Sequence, residues 1–381
     1  MKHALALLCG LLMTAFSQAQ SVVCARQAAL DGHFFAPLYP VPESIVSELN
    51  ECYRFTYQDA SQKRLLRVER LFRGKLSDEL SQINAAKAEF KYDAKGNLTE
   101  KRQLDAQGKT QSVRRFRYKN GQVVEEALFD GANKLFSRTL FRYDKQGRLI
   151  EIAFVDDKNR RQNTSLGYAI ERREYDEKGR PTLVAWFDHY GDLSRKTYTR
   201  YDDKGNAIEL RHVFFPDTTE FQIVKFQYDA NGRWTEKIET DSKGSTFQKT
   251  LRRYDANGNL IEEATYDNLG RLVENVVEIA RTVIEYRDGK KIRERCYNAA
   301  NVLRTDAQYG EFGQIIERAQ YASDGSLLEI KRAKYDDFGN VVEETFFAPD
   351  KKKNEIPVET RRYEKGKLIQ RIRYGKDGKP L

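Results

Sequence analysis

Apolar and polar positions alternate along most of this chain in short runs that end on a tyrosine and are broken by an Asp-x-x-Gly step. Phe116-Arg117-Tyr118, Phe141-Arg142-Tyr143 and Phe226-Gln227-Tyr228 carry the period of two that marks a half-buried strand. The residue before the tyrosine is polar in every copy, for example Lys91, Arg117, Arg142, Arg200, Gln227, Arg253 and Lys334. Neighbouring side chains of a strand point to opposite faces, so each tyrosine is expected to face inward, away from those polar groups. The Asp-x-x-Gly that follows is turn chemistry. Asp accepts hydrogen bonds from the next backbone N–H groups, and Gly supplies the positive φ of a type I turn closed by a G1 bulge. The chain then returns as a strand rich in β-branched residues, such as Asn259-Leu260-Ile261-Glu262-Glu263-Ala264-Thr265-Tyr266, and meets a second turn at Asp267-Asn268-Leu269-Gly270.

This two-strand unit recurs from Tyr92 onward, at Tyr143, Tyr175, Tyr201, Tyr228, Tyr254 and Tyr335, with weaker copies at Tyr118, Tyr286, Tyr309 and Tyr363. Self-similarity at a period of about 26 residues is the signature of a repeat architecture. The predicted fold is all-β: about 11–12 antiparallel hairpin units forming one long twisted or coiled sheet, with a short N-terminal cap in which 43–53 reads as helix. The predicted divisions are a cap over 20–56, a degenerate first repeat and connector over 57–91, and the repeat array over 92–381. Longer spacings place insertions at 156–170 and 271–282, on one rim. With the turn geometry above, Tyr254 is expected opposite Leu260 and Arg252 opposite Glu262. Opposite-charge and Tyr-aliphatic cross-strand pairs contribute roughly 0.2–1 kcal/mol each, so stability would accumulate along the array.

The N-terminus changes the compartment rather than the fold. Met1-Lys2-His3, an apolar run over 4–16 and Ser17-Gln18-Ala19 have the layout of a secretory signal peptide, so 1–19 is expected to be removed and the protein exported to the periplasm or cell surface. The chain as a whole is strongly polar, with 32% charged residues and a formal net charge of +9, which becomes about +8 when Lys2 leaves with the signal. Both signs are spread over nearly every strand, which reads as a solvated surface without an integral membrane segment or a nucleic-acid partner. In an oxidising compartment a disulfide between Cys24 and Cys52 would staple the cap, leaving Cys296 as an odd, buried thiol.

Tyr143-Asp144-Lys145-Gln146-Gly147-Arg148-Leu149 and its copies resemble the YD-repeat (Rhs-type) family of secreted and cell-surface bacterial proteins. The resemblance covers about three quarters of the chain and implies a coiled antiparallel β-sheet shell. It also implies carbohydrate binding, surface attachment or, in large members, enclosure of a toxin. This chain is far shorter and lacks the Asp-Pro-containing segment that releases a toxin, so the resemblance is to a small secreted member without a toxin domain.

Chemistry is sparse. His33, His189 and His212 have no partner at metal-ligand spacing, and no nucleophile elbow, phosphate loop or dinucleotide fingerprint occurs, so no cofactor, metal site or enzymatic activity is expected. Glu100, Glu151, Glu209, Glu236, Glu262 and Glu343 recur at one register and read as cross-strand partners, not catalytic pairs. The aromatic-rich copies, with Trp186, Phe187, Tyr190 and Trp234, are the candidate ligand contacts, since aromatic platforms suit sugar rings or protein hot spots. The expected function is a non-enzymatic exported scaffold or binding protein of the cell envelope. The alternatives are an envelope-polysaccharide binding module and an accessory or immunity-like protein partner in a secretion or toxin system.

Overall fold

The computed structural model describes residues 20–77, 85–219, 221–350 and 354–381. The expected signal peptide lies outside them. Among the described residues, twenty-seven strands and one 3₁₀ helix, Glu43–Glu48, make up the regular structure. The first four strands are β1 (Ser21–Asp31), β2 (Phe34–Val41), β3 (Cys52–Tyr57) and β4 (Leu65–Phe72). β1 pairs antiparallel with β2 on one side and β3 on the other, and β3 pairs with β4. From β4 the sheet continues through the strand Lys87–Tyr92, and each later strand pairs with its chain neighbours as far as Lys367–Arg373. β2 and Lys367–Arg373 are therefore its two open edges, and the all-β antiparallel sheet is one long twisted layer rather than a closed barrel.

The segment read as a cap joins the same sheet. Its helical stretch is shorter than expected, ending at Glu48, because the chain must re-extend at Cys52 to pair with β1 and β4. The degenerate repeat keeps the repeat's register: Tyr57 faces Leu65 as Tyr92 faces Leu98 and Tyr254 faces Leu260.

The turns have the expected geometry. Asp255 N–H donates to the Asn259 carbonyl at 3.0 Å and Gly258 N–H to the Asp255 carbonyl at 3.0 Å, with Gly258 at φ 91°. Only a residue without a Cβ takes that φ without strain. One Asp255 oxygen accepts from Asn259 N–H at 2.8 Å and the other from the Asn259 side chain at 2.8 Å. Where Arg follows Gly, its Nε makes the second contact, as in Arg148 to Asp144 at 2.6 Å.

One pairing differs from expectation. A bulge between Arg253 and Tyr254 inserts an extra residue on the return strand, so Arg253 faces Glu262 and Arg252 faces Glu263. The residue immediately before the tyrosine is thus the cross-strand partner of the recurring glutamate: Lys91 for Glu100, Arg142 for Glu151, Arg200 for Glu209, Arg253 for Glu262, Lys334 for Glu343 and the neutral Gln227 for Glu236.

Side-chain burial is uneven along the array. Both clusters of buried apolar residues lie between Cys24 and Phe116. Farther along, burial among the described residues falls on single scattered positions such as Val155, Ile170, Ala264, Ala319 and Ile330. The array is a single layer wetted on both sides, and cross-strand pairs replace a core as its source of stability. The larger cluster forms because the β1–β2 hairpin folds over the tyrosine face of the first repeats. Phe34 lies 5.6 Å from Phe90 and stacks on Tyr92 at 6.5 Å, and the His33 ring meets Phe116 edge-on at 4.8 Å. The tyrosine face is therefore the inner one at this end, as the alternation predicted.

Candidate functional site

Each tyrosine does more than pack. Tyr118 donates its hydroxyl to the Leu98 carbonyl at 2.9 Å, Tyr143 to Val123 at 2.8 Å, Tyr175 to Leu149 at 2.6 Å and Tyr201 to Pro181 at 2.7 Å. Tyr228 reaches Ala207 at 2.8 Å, Tyr254 reaches Trp234 at 3.0 Å and Tyr335 reaches Ile315 at 2.8 Å. In each case the acceptor faces the previous unit's tyrosine, so the bonds run unit to unit along the inner face. The arginine after the turn glycine covers the next ring: Arg148 lies over Tyr175 at 5.1 Å, Arg180 over Tyr201 at 4.6 Å and Arg233 over Tyr254 at 4.7 Å. Burial raises the pKa values of Tyr118, Tyr143, Tyr201, Tyr228 and Tyr335, and that of Tyr92 to about 12.

The outer face carries a different ladder. Arg142 and Arg172 both reach Glu151, at 3.2 and 2.7 Å. Arg253 and Arg281 reach Glu262 at 2.7 and 2.6 Å, and Lys334 and Arg362 reach Glu343 at 2.8 and 3.0 Å. Lys91 and Arg115 hold Glu100 in the same way, at 3.0 and 3.3 Å. At six units the residue before the tyrosine is a cation that stands out in solvent while its glutamate lies beneath: Lys91, Arg117, Arg142, Arg200, Arg253 and Lys334 have side chains 65% to 75% exposed, their partners 13% to 20%. Alternate strands are about 10 Å apart, and the row of cations on this face is interrupted where Glu174, Gln227, Glu285 and Gln308 precede the tyrosine. Two cations to one recessed carboxylate leave it with a positive excess. For Glu343 the bonds from Lys334 outweigh desolvation, and its pKa falls below the usual carboxylate value.

The candidate aromatics do not converge. Trp186 lies on the inner face, its Nε1 donating to Glu171 at 3.1 Å and its ring under Arg195 at 4.1 Å. Trp234 lies on the same face four strands away, its ring under Arg252 at 3.8 Å and edge-on to Phe226 at 6.2 Å. Phe187 points to the outer face beneath Arg172 at 4.8 Å, and Tyr190 is exposed in the turn beside the His189 ring at 3.8 Å. Guanidinium groups occupy one face of each of Trp186, Trp234 and Phe187, which gives these rings partners within the sheet.

Cys24 and Cys52 share a buried cluster with Val46, Leu49 and Leu71, but both are free thiols, in place of the expected bridge. The register explains why: Cys24 faces Arg54, which sets Cys52 on a diagonal. Diagonal Cα atoms are about 7–8 Å apart, beyond the roughly 5.5–6 Å typical of a disulfide. Cys24 instead donates to Glu43 at 2.6 Å. Burial, reinforced by Glu43, raises its pKa to about 12, and burial raises that of Cys52 to about 11.

The two insertions take one geometry. Each opens with a bridge, Val155 to Arg161 and Tyr266 to Leu272, then makes a tight turn, Gly167 N–H to Thr164 and Glu278 N–H to Asn275, both at 3.0 Å. Among the described residues no group of three or more His, Cys, Asp or Glu side chains could hold a metal, and no helix is long and apolar enough to cross a membrane.

The sequence reading missed Phe312 and Phe338. Both stand immediately before the turn glycine, where Lys95, Gln146, Lys178, Lys204, Asn231 and Asn257 hold polar side chains. Here the aromatic residues meet the N-terminal segment: the Arg26 guanidinium lies 4.4 Å above the Phe312 ring, and Phe338 packs against the Cys24 and Cys52 cluster. The signal in the sequence was the departure itself, an aromatic residue where the corresponding turns hold a polar one.

Against known proteins, a family model described as a MORN repeat variant matches residues 248–268, which is one hairpin of the array. No curated protein matches the sequence. Among solved structures, the TcdB2-TccC3-Cdc42 complex is similar at 12% identity and TM-score 0.40, over 87% of this chain and 20% of that one. A Tc holotoxin pore from Photorhabdus luminescens matches at 12% identity and TM-score 0.22, over 95% of this chain and 25% of that one. A porin-like protein from Bacteroides uniformis matches at 11% identity and TM-score 0.24, over 68% of this chain and 91% of that one. The chain spans only a fifth to a quarter of the first two, and at these TM-scores no reading of activity or partner follows from them.

Proposed function

We propose that this chain is a non-enzymatic, exported β-repeat scaffold of the YD-repeat type that engages an acidic protein partner, as an accessory or immunity-like component of a secretion or toxin system. The observation that carries the reading is the outer ladder, in which two cations bracket each of the recessed Glu100, Glu151, Glu262 and Glu343. A positive face spread along a long sheet suits a macromolecule with matching negative charge, and such charge chiefly sets encounter rate and orientation. The arginine-covered rings of Trp186 and Trp234 argue against a free-standing sugar-stacking module.

The ladder also suits an anionic envelope polysaccharide, which is the second reading. One experiment separates them. The protein is purified from its own envelope extract at stepped salt, beside a variant carrying Arg142→Gln, Arg200→Gln and Arg253→Gln. A single acidic protein retained in fixed proportion by the wild type and lost from the variant supports the first reading. Variant-sensitive retention on isolated lipopolysaccharide or peptidoglycan, with no protein, supports the second, and retention unaffected by the substitutions overturns the role of the ladder.

A further inference from the structure

The sheet coils far enough for residues nearly 300 positions apart to touch. Asn340 accepts from Asn50 N–H at 2.5 Å, and its amide donates to the Glu48 carbonyl at 2.5 Å. Phe338, in the same turn, packs against the cluster of Cys24, Val46, Leu49, Cys52 and Leu71. A turn earlier, Phe312 lies under Arg26, and a turn later Gly366 sits so close to β4 that an added Cβ would lie 2.5 Å from Phe72 and 3.1 Å from Asn50. Three successive turns on one rim thus bear on the N-terminal strands and the 3₁₀ helix.

No strand pairing crosses this seam among the described residues, since β2 pairs only with β1 and Lys367–Arg373 only with Glu355–Glu364. The seam is also incompletely packed: a cleft of about 760 Å³ runs between Arg26, Tyr39, Ile45 and the Tyr309 to Gly313 turn, and another of about 410 Å³ between Asn50, Phe312 and Asn340. A few side-chain contacts therefore close the coil, whereas continuous backbone ladders hold every other neighbouring pair. Local opening takes place first where contacts are few and no backbone ladder must break.

We propose that this seam is a reversible latch: the coil closes on itself through Phe338, Asn340 and Phe312, and opens there as a unit without loss of the sheet. The turn chemistry agrees, because the polar residue usual at the position of Phe338 would leave the turn intact and give the cap nothing to hold. Opening withdraws Phe338 from the cluster and uncovers the Cys24 and Cys52 thiols, which makes those thiols the reporters.

The test compares wild-type protein with Phe338→Lys and Asn340→Ala in thiol labelling, small-angle scattering and backbone hydrogen exchange. The latch predicts that Cys24 and Cys52 label about tenfold faster in Phe338→Lys, that the radius of gyration increases, and that the Thr246–Tyr254 and Leu260–Tyr266 hairpin keeps its protection. Asn340→Ala, which removes both seam hydrogen bonds, is expected to shift the same readouts less. Unchanged labelling and scattering in both variants would overturn the latch. So would loss of protection throughout the array in either, because the seam would then be part of one cooperative unit.

Discussion

The Tyr254 hydroxyl donates to the backbone carbonyl of Trp234 at 3.0 Å, and Trp234 is the residue that faces Tyr228, the tyrosine of the preceding unit. The recurring tyrosine is thus a fastener between units as well as a packing residue within one. A single layer without a continuous core needs such unit-to-unit terms, because in a repeat protein the interfaces between neighbours set cooperativity.

Tyr254→Phe keeps the ring under Arg233 and removes only the donor. The expected cost is about 1 kcal/mol, the net contribution of one hydrogen bond. A triple change at Tyr201, Tyr228 and Tyr254 should come close to additive if each bond serves one interface. Denaturant unfolding measures both, and a triple variant as stable as the wild type would show that the rings alone join the units.

Much of this was legible in the sequence because its determinants are local. A period of two with Tyr before Asp-x-x-Gly places strand, turn and face without reference to distant residues, and Tyr254 lies opposite Leu260 as read. Arg252 opposite Glu262 follows from a regular ladder beyond the turn and its G1 bulge, whereas the further bulge at Tyr254 moves that partner to Arg253. The tyrosine hydroxyl bonds depend on how one hairpin lies against the last, and the seam on how far the sheet curls. Neither is encoded in a single repeat. Phe312 and Phe338 were visible only as exceptions to the register.

Acid should weaken the outer ladder. Glu343 is held below the usual carboxylate pKa by hydrogen bonds from Lys334, against the opposing effect of desolvation, with Arg362 adding to the shift. A depressed folded-state pKa contributes stability that is fully present above the unfolded value near 4.5 and is lost as pH falls through the folded one. Glu343→Gln should therefore be less stable than the wild type at pH 7, with the difference shrinking below about pH 4.5. Melting curves of both proteins from pH 7 to pH 3 test this, and a gap that persists to pH 3 would assign the effect to packing.

The cysteines give a test independent of the array. With both thiols free and their pKa values raised to about 12 and 11, Cys24 and Cys52 should resist alkylation in the native state at pH 8. In denaturant without reductant, Cys24, Cys52 and Cys296 should all be alkylated, as mass spectrometry of the digested protein would show. A Cys24–Cys52 linked peptide in protein taken directly from its compartment would mean that β1 and β3 shift to bring the two Cα atoms within bonding range.

Lys101 is the buried charge whose removal should help. It is 8% exposed, donates to the His33 carbonyl at 2.9 Å, and lies 4.5 Å above the Phe35 ring, beneath the hairpin that covers the first repeats. Desolvation, with repulsion from Arg114, lowers its pKa to about 8. The folded state therefore releases this proton more readily than the unfolded chain, whose lysine titrates near 10.5. Between pH 8 and 10.5 the unfolded chain binds more protons, so this group's contribution makes stability rise with pH across that window. Lys101→Met retains the length of the stem over Phe35 and Phe90 and removes the buried ammonium. It should match or exceed the wild type in melting temperature at pH 7, and its advantage should vanish by about pH 10.5. A variant markedly less stable at pH 7 would show that the hydrogen bond to His33, which ties the tip of the β1–β2 hairpin to the inner face, outweighs the desolvation of the charge that makes it.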